Sequence, residues 1–299
     1  YHLVPKGMGA RQLDRAGAQC RIGLNDQGLR KRARTEVKNM KWCRFSTGGP
    51  ISYGIIEGET VTEVDGTPFD SYTKTSNTHK LDAVKLEVPV IPLTFYAAGI
   101  NYPEHVTWAA QMRGEEPVLP TQADVGYRAI NALVPDGHDI IVPKDATEML
   151  QYEGELVVVI GKTCRNVTEE QALDYVLGYS IGNDVSERTW QRGDRTMWRA
   201  KNTDTFKPMG PWIVTDLNPD DLHVVIKVND RTVGEYDVAS AIFGVRTFIS
   251  KMSEYLTLVP GDLLWMGTVG ATENMVDGDL VEVEISDIGV LRNKVVWEK

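Results

Sequence analysis

Apolar and polar residues alternate in short runs along most of the chain, and Gly, Pro and Asn-Asp positions bound the runs, which is the pattern of β-strands joined by turns. From Lys41 to Val64 the alternation passes through WCRFST, a Gly-Gly-Pro break and ISYGIIEGETVTEV, where Glu57-Gly58 between two alternating runs predicts a hairpin. A polar stretch covers residues 65–80, and residues 88–92 then lead into a short apolar run, 94–99, that ends at Gly99. Further strands are predicted at 140–142, 156–161, 178–182, 224–228, 263–266, 281–285 and 290–296, with a second hairpin at Asn229-Asp230. Helical signals are few. Thr168-Glu-Glu-Gln171 reads as a capping box opening a helix to about Tyr175, and residues 245–256 carry helical apolar spacing. The fold class is therefore mixed α/β and β-dominated, without the alternating βαβ units of a Rossmann fold. Residues 40–92 read as a small β-rich N-terminal subdomain and 93–299 as the main domain, with no internal repeat.

Composition narrows the partners. At 299 residues and 42% hydrophobic content the chain can bury a sizeable core. Its apolar runs fall far short of the roughly 20 residues needed to cross a bilayer, and no basic start precedes an apolar signal core, so a soluble, cytoplasmic protein with no membrane partner is expected. Three widely spaced cysteines, Cys20, Cys43 and Cys164, suggest neither a disulfide framework nor a zinc knuckle. A net charge of −10 argues against nucleic acid and for small-molecule partners. The charge is uneven. Residues 1–39 carry nine Lys or Arg against three Asp or Glu, which makes that segment +6 and the rest of the chain −16. That segment, with HLVPKG near its start, reads as a basic arm, a linker or an added extension that is poorly ordered, and the globular part is expected to begin near Met40.

The chemistry centres on QYEGELVVVIGK, residues 151–162. In an extended strand Glu153 and Glu155 project from the same face, while Leu156, Val158 and Ile160 point the other way. The strand that follows is apolar on both faces, which implies burial, and adjacent buried carboxylates are costly unless paired or bound to a cation. Spacing alone leaves open that both glutamates lie at the wet start of a strand. In GYSIGNDVSER, residues 178–188, a strand breaks at Gly182-Asn183 into a predicted helix. Asp184 then stands either at a strand end, where functional carboxylates gather, or as a helix N-cap.

The order of YExE with LVVVIGK, GYSIGNDVSER with Trp190-Gln191, AKNTDTFKPMGPW (200–212) and LVPGDLLWMGT (258–268) strongly resembles the fumarylacetoacetate hydrolase family over about residues 40–299. The resemblance implies a β-sandwich or β-roll catalytic domain behind a smaller N-terminal domain, usually as a homodimer. It also implies a divalent ion, Mg²⁺ or Mn²⁺ with Ca²⁺ also accepted, held by Glu153, Glu155 and Asp184. Three carboxylates without His or Cys suit such a hard ion better than zinc. By the same resemblance Lys201 lies near metal and substrate, Arg188 and Gln191 bind the substrate's carboxylate or oxo group, and Thr268 offers it a hydroxyl and a backbone N–H, with Val269 in place of the usual proline. A guanidinium suits a planar carboxylate because it donates two parallel hydrogen bonds.

GINYPEH, residues 99–105, is similar to the family's GxNYxxH, which makes Tyr102 a substrate contact and His105 the general base for water. Imidazole suits that role because its pKa is near neutrality. Hydrolytic members pair this His with a Glu three residues on, within a lid helix, but position 108 here is Trp, and Glu104, Glu115 and Glu116 are the nearby carboxylates open to replace it. Arg128 in GYRAIN also departs from the Phe-and-Lys pattern of many relatives. Trp108, Trp190, Trp198 and Trp212 offer aromatic surface to a pocket, although at least two of the four are expected in the core.

The implied activity is C–C bond hydrolysis of a small β-diketo acid of acylpyruvate or fumarylacetoacetate type. His105 generates hydroxide for the distal carbonyl, and Lys201 supports the enolate that leaves. The same apparatus serves 2-oxo acid decarboxylation, tautomerisation or hydration, and a non-catalytic ligand-binding member is a reading of another class.

Overall fold

A computed structural model describes residues 39–299. The expectations for residues 1–38, including almost all of the basic arm, lie outside the described residues. The rest folds as one compact unit. Its backbone is organised by one large and one smaller β-sheet.

The large sheet begins with the alternating N-terminal runs: β1 (Lys41–Ser46), β2 (Ser52–Glu57) and β3 (Thr60–Gly66), with a tight turn at Gly58, φ +62°. The polar stretch that follows holds β4 (Tyr72–Lys80), whose side chains are mostly exposed. Next come β5 (Lys85–Glu87), β6 (Phe95–Ala98), helix α1 (Pro103–Arg113), β7 (Val125–Tyr127), β8 (Leu133–Val134), β9 (Ile140–Val142) and β10 (Leu150–Gln151). The central strands are β11 (Gly154–Ile160) and β12 (Val176–Asn183), followed by β13 (Ser186–Glu187), α2 (Arg188–Gly193) and β14 (Lys207–Val214). The C-terminal part adds β15 (His223–Val228), β16 (Arg231–Asp237), α3 (Val245–Tyr255), β17 (Leu263–Trp265), β18 (Leu280–Ile285) and β19 (Gly289–Trp297).

The large sheet runs β4-β3-β2-β1-β14-β12-β11-β17-β6-β7, with β5 on β1 and β8 on β14. Residues 40–92 therefore do not form a sheet of their own, because β1 pairs with β14 through Lys41 opposite Val214 and Trp42 opposite Ile213. The smaller sheet runs β16-β15-β18-β19-β9 and packs on the face of β11 that carries Leu156, Val158 and Ile160. The opposite face carries Val157 and Val159 and is buried against Trp42, Phe95, Ile213 and Trp265. Burial on both faces explains why β11 reads as an unbroken apolar run. At Gly154 the layers approach closely, since a Cβ there would stand 2.9 Å from Ile226 and Val283 side-chain atoms.

Two local expectations differ from the structure. The capping-box segment yields only a 3₁₀ turn over Ala172–Tyr175, because the chain enters β12 at Val176. The helix after β12 starts at Arg188, and its N-cap is Glu187, whose side chain accepts from Trp190 N–H. Asp184 is thus not a helix cap. Among the described residues no helix is long and apolar enough to cross a membrane.

Candidate active site

Antiparallel pairing of β11 with β12 sets Gly154 opposite Asn183 and Glu155 opposite Gly182, so the ExE segment and Asp184 meet at one end of the pair. Two hydrogen bonds lock the junction: Glu153 N–H donates to Asn183 Oδ1 at 2.9 Å, and Asp184 N–H donates to the Glu153 carbonyl at 2.8 Å. Glu153, Glu155 and Asp184 are all buried, and each offers an oxygen within 4.8 Å of the others. The loop after β17 reaches them, where Gly267 (φ +83°) donates its N–H to Glu155 Oε2 at 2.9 Å.

Cations surround this cluster. Lys201 Nζ donates to Asp184 Oδ2 at 2.8 Å and also to Glu153 Oε2. Arg188 holds a three-way fork, with Nη2 2.6 Å from Glu153 Oε1, Nε 2.8 Å from Gln151 Oε1 and Nη1 2.9 Å from Gln191 Oε1. Arg128 reaches Asp184 from the end of β7, its Nη2 2.8 Å from Oδ2 and its Nε 3.1 Å from Oδ1. Lys207 is fully buried below, 2.7 Å from Asp184 Oδ1, and also donates to the carbonyls of Val185 and Phe206.

The electrostatics divide the three acids. Burial pushes Asp184 up, but Arg128, Lys201 and Lys207 hold it well below the ordinary range. Burial likewise opposes ionisation of Glu153, and Arg188 and Lys201 overcome it. Glu155 has no guanidinium or ammonium hydrogen-bonded to it among the described residues; burial, then the charges of Asp184 and Glu153, push it up to about 8. A divalent cation would supply the charge that Glu155 lacks, and the donor set of carboxylates only fits Mg²⁺, Mn²⁺ or Ca²⁺.

His105 lies in the first turn of α1 and faces the same cavity, its Nδ1 3.2 Å from the Thr268 carbonyl oxygen. Burial lowers its pKa despite the charge of Glu153 nearby. The Trp108 ring stands edge-on to the imidazole at 5.5 Å. Glu104, Glu115 and Glu116 are exposed, and none of them is hydrogen-bonded to His105 among the described residues. Gln191 and Thr268 line the cavity, and the buried Thr268 hydroxyl has no hydrogen-bond partner among the described residues. Tyr102 sits behind the residues that face the cavity. It is fully buried, packs edge-on against Tyr236 at 4.8 Å and is not among the residues facing the cavity, so it supports the wall from behind. Of the four tryptophans considered, Trp108 lines the cavity, Trp190 is buried, Trp212 packs partly buried against the core and Trp198 is 67% exposed.

Sequence reasoning noted Arg128 only as a departure and did not single out Lys207 or Gln151. The signal for Lys207 is a charge inside the apolar run FKPMGPW, where strand alternation predicts burial.

Comparison with known proteins agrees with this geometry. Residues 94–296 match the model of the fumarylacetoacetate (FAA) hydrolase C-terminal family, and residues 40–89 match Rv2993c-like, N-terminal. An uncharacterised protein of Archaeoglobus fulgidus is 38% identical over 258 residues, 85% of this chain and 95% of the relative. The 2,4-didehydro-3-deoxy-L-rhamnonate hydrolase of Sphingomonas sp. is 34% identical over 280 residues, 86% of this chain and 96% of the relative. Among solved structures, the 5-carboxymethyl-2-hydroxymuconate delta-isomerase of Mycobacterium smegmatis is 32% identical and superimposes with a TM-score of 0.79, covering 87% of this chain and all of that one. The matched families, the carboxylate triad on β11–β12 and the sheet architecture make this chain a member of the fumarylacetoacetate hydrolase family.

Proposed function

We propose that the chain is a divalent-metal-dependent hydrolase that cleaves a C–C bond in a small β-diketo acid of acylpyruvate or fumarylacetoacetate type. The observation that carries this reading is the contact of His105 Nδ1 with the Thr268 carbonyl, which keeps the proton on Nδ1 and leaves Nε2 with a free lone pair. Such an imidazole, kept neutral by burial and facing the same cavity as the carboxylates, is suited to take a proton from water. When bound at Glu153, Glu155 and Asp184, a divalent ion supplies Lewis acidity toward the dicarbonyl head. Arg188 and Gln191 orient the acid group, and Lys201 stands where negative charge develops as the C–C bond breaks. The cations around the cavity favour an anionic ligand. The same reading places the enzyme in the cytoplasm as a homodimer.

A second reading rests on Trp108. The indole beside His105 occupies the place where hydrolytic relatives carry a carboxylate partner, and a decarboxylase, tautomerase or isomerase needs no activated water. The named function of the Mycobacterium smegmatis relative is of that kind. A non-catalytic role is disfavoured, because Glu155, buried beside Glu153 and Asp184 with no cation hydrogen-bonded to it among the described residues, is a stability cost without a metal.

The test is turnover of acylpyruvates, fumarylacetoacetate-like diketo acids and oxaloacetate, with products read by NMR in Mg²⁺ or Mn²⁺ and again after EDTA. Metal-dependent appearance of two carboxylic acid fragments supports hydrolysis. Release of CO₂ or a shifted tautomer without cleavage supports the second reading. No turnover of any compound would count against both.

A further inference from the structure

The cavity over the carboxylates is larger than a 2-oxo acid head requires. Its volume is about 610 Å³, on the order of 20 water molecules at ~30 Å³ each, and a pyruvyl head fills a small part of that. The head end is polar and fixed by Glu153, Glu155, Asp184 and the Arg188 fork. Trp108 marks the boundary, its ring 5.5 Å from the His105 ring and 5.5 Å from the Arg188 guanidinium carbon. The lining also includes the apolar side chains of Ile100 and Met112, with Met149 and Met197 next to Arg188 and Lys201 in the backbone hydrogen bonding.

His105, Trp108 and Met112 repeat at helical spacing, so one face of α1 carries the cavity from the imidazole to Met112, about 10 Å along the helix. Met112 is 55% exposed, Ile100 41% and Met197 36%. Apolar side chains that face water together at the mouth of a cavity mark a surface that a ligand covers. Methionine suits such a site because its flexible, polarizable thioether adapts to ligand shape and packs against aromatic rings. Of the two arginines that line the cavity besides Arg128 and Arg188, Arg113 is engaged by Glu115 at 2.7 Å, so Arg192 is the guanidinium a second carboxylate on the ligand would have to reach.

Resting on the 2-oxo acid reading above, we propose that the outer half of this cavity is a tail subsite for an aryl or medium-length alkyl group joined to the acid head, with Trp108 and Met112 setting the preference. The tail lies along α1 with its apolar atoms against Trp108 and Met112, and the head stays at the carboxylates.

Calorimetric titration of the Mg²⁺-loaded protein with pyruvate, 4-phenyl-2-oxobutanoate and 2-oxoadipate tests this without requiring turnover. The phenyl compound should bind at least about tenfold more tightly than pyruvate, since each buried methylene is worth about fourfold. Met112→Ala, at an exposed position, and Trp108→Ala should each shrink that ratio to about threefold or less. Equal binding of pyruvate and the phenyl compound, tightest binding of 2-oxoadipate, or a ratio unchanged in both variants would each overturn the subsite. If pyruvate binds and the tail adds nothing, the subsite alone falls; if none of the three binds, the 2-oxo acid reading falls with it.

Discussion

Lys207 Nζ lies 2.7 Å from Asp184 Oδ1 with no part of the lysine exposed to solvent. Burial, with Lys201 and Arg128 close by, pushes its pKa down to about 7 although Asp184 pulls the other way. The pair fixes one Asp184 oxygen below the cavity and leaves Oδ2 to face Lys201 and Arg128. Lys207→Met removes one partner of a buried ion pair and should destabilise the metal-free protein by about 3 kcal/mol. Lys207→Arg should not restore it, because the Nζ site between Asp184 and the carbonyls of Val185 and Phe206 has the shape of an ammonium, not of a planar fork. Urea denaturation of the three proteins in EDTA measures this, and an unchanged midpoint in Lys207→Met would refute it.

Glu155 would give a metal site at the three carboxylates its pH dependence. Its carboxyl is raised from 4.5 to about 8, by burial first and then by Asp184 and Glu153. An acid raised on folding contributes stability below its unfolded pKa, and that contribution is lost as pH rises through the folded value, so Glu155 should weaken the metal-free protein from about pH 4.5 to 8. Binding a cation requires the carboxylate and expels that proton, so Mg²⁺ affinity should climb roughly tenfold per pH unit up to about pH 8. Calorimetry at pH 6.5 in two buffers of different ionisation enthalpy should show about one proton released, and Glu155→Gln should bind weakly and lose that release. Equal proton release in the two proteins would show that Glu155 is already ionised.

As the proposed base, His105 should work below the usual histidine range. Burial lowers the His105 pKa from 6.5, the Glu153 charge opposing only in part, so its neutral form persists into mildly acid solution. For a hydrolase kept saturated with Mg²⁺ at every pH, kcat/KM should stay level as pH falls to 6.5 and decline only beneath it. His105→Ala should cost on the order of 10²–10⁴ in hydrolysis while sparing a decarboxylase. A hydrolysis rate that survives His105→Ala would remove the imidazole from the mechanism.

Much of this site was legible in the chain because its signals are local. Period-2 alternation places Glu153 and Glu155 on one face, and the apolar run behind them announces burial on both sides of β11. What was not legible depends on contacts between distant segments. Arg128 meets Asp184 across 56 residues, and neither neighbourhood signals the other. The strand β4 escaped because its side chains are mostly exposed, which leaves no apolar period to read. How the N-terminal strands join the main sheet was not legible, because nothing local reveals that Trp42 pairs with Ile213. Asp184 resembled an N-cap by type and position, yet its oxygens are taken by Arg128, Lys201 and Lys207, and Glu187 does the capping.

Gly182 links the sheet to the carboxylate cluster and offers the sharpest structural test. It stands opposite Glu155 in the β11–β12 register, and directly opposed residues place their side chains on the same face. A Cβ there would lie 2.6 Å from the Trp265 ring, which is itself fully buried and paired with Val157. The indole therefore occupies the space that a side chain at position 182 would need, next to the strand that carries Glu155. Gly182→Ala must push Trp265 or one of the strands aside, at a cost of about 1–3 kcal/mol. Because Glu155 Oε2 is also tied to Gly267 N–H, two residues past Trp265, the shift should reach the carboxylate and weaken Mg²⁺ binding as well. Gly178→Ala, four residues earlier, makes a control: its Cβ would meet the Val214 carbonyl at 2.4 Å, away from the carboxylates. Both variants should melt lower, but only Gly182→Ala should also lose metal affinity beyond what its lower stability predicts, as read by calorimetric titration well below its melting temperature. Equal loss of affinity in the two would mean that Trp265 does not transmit the strain to Glu155.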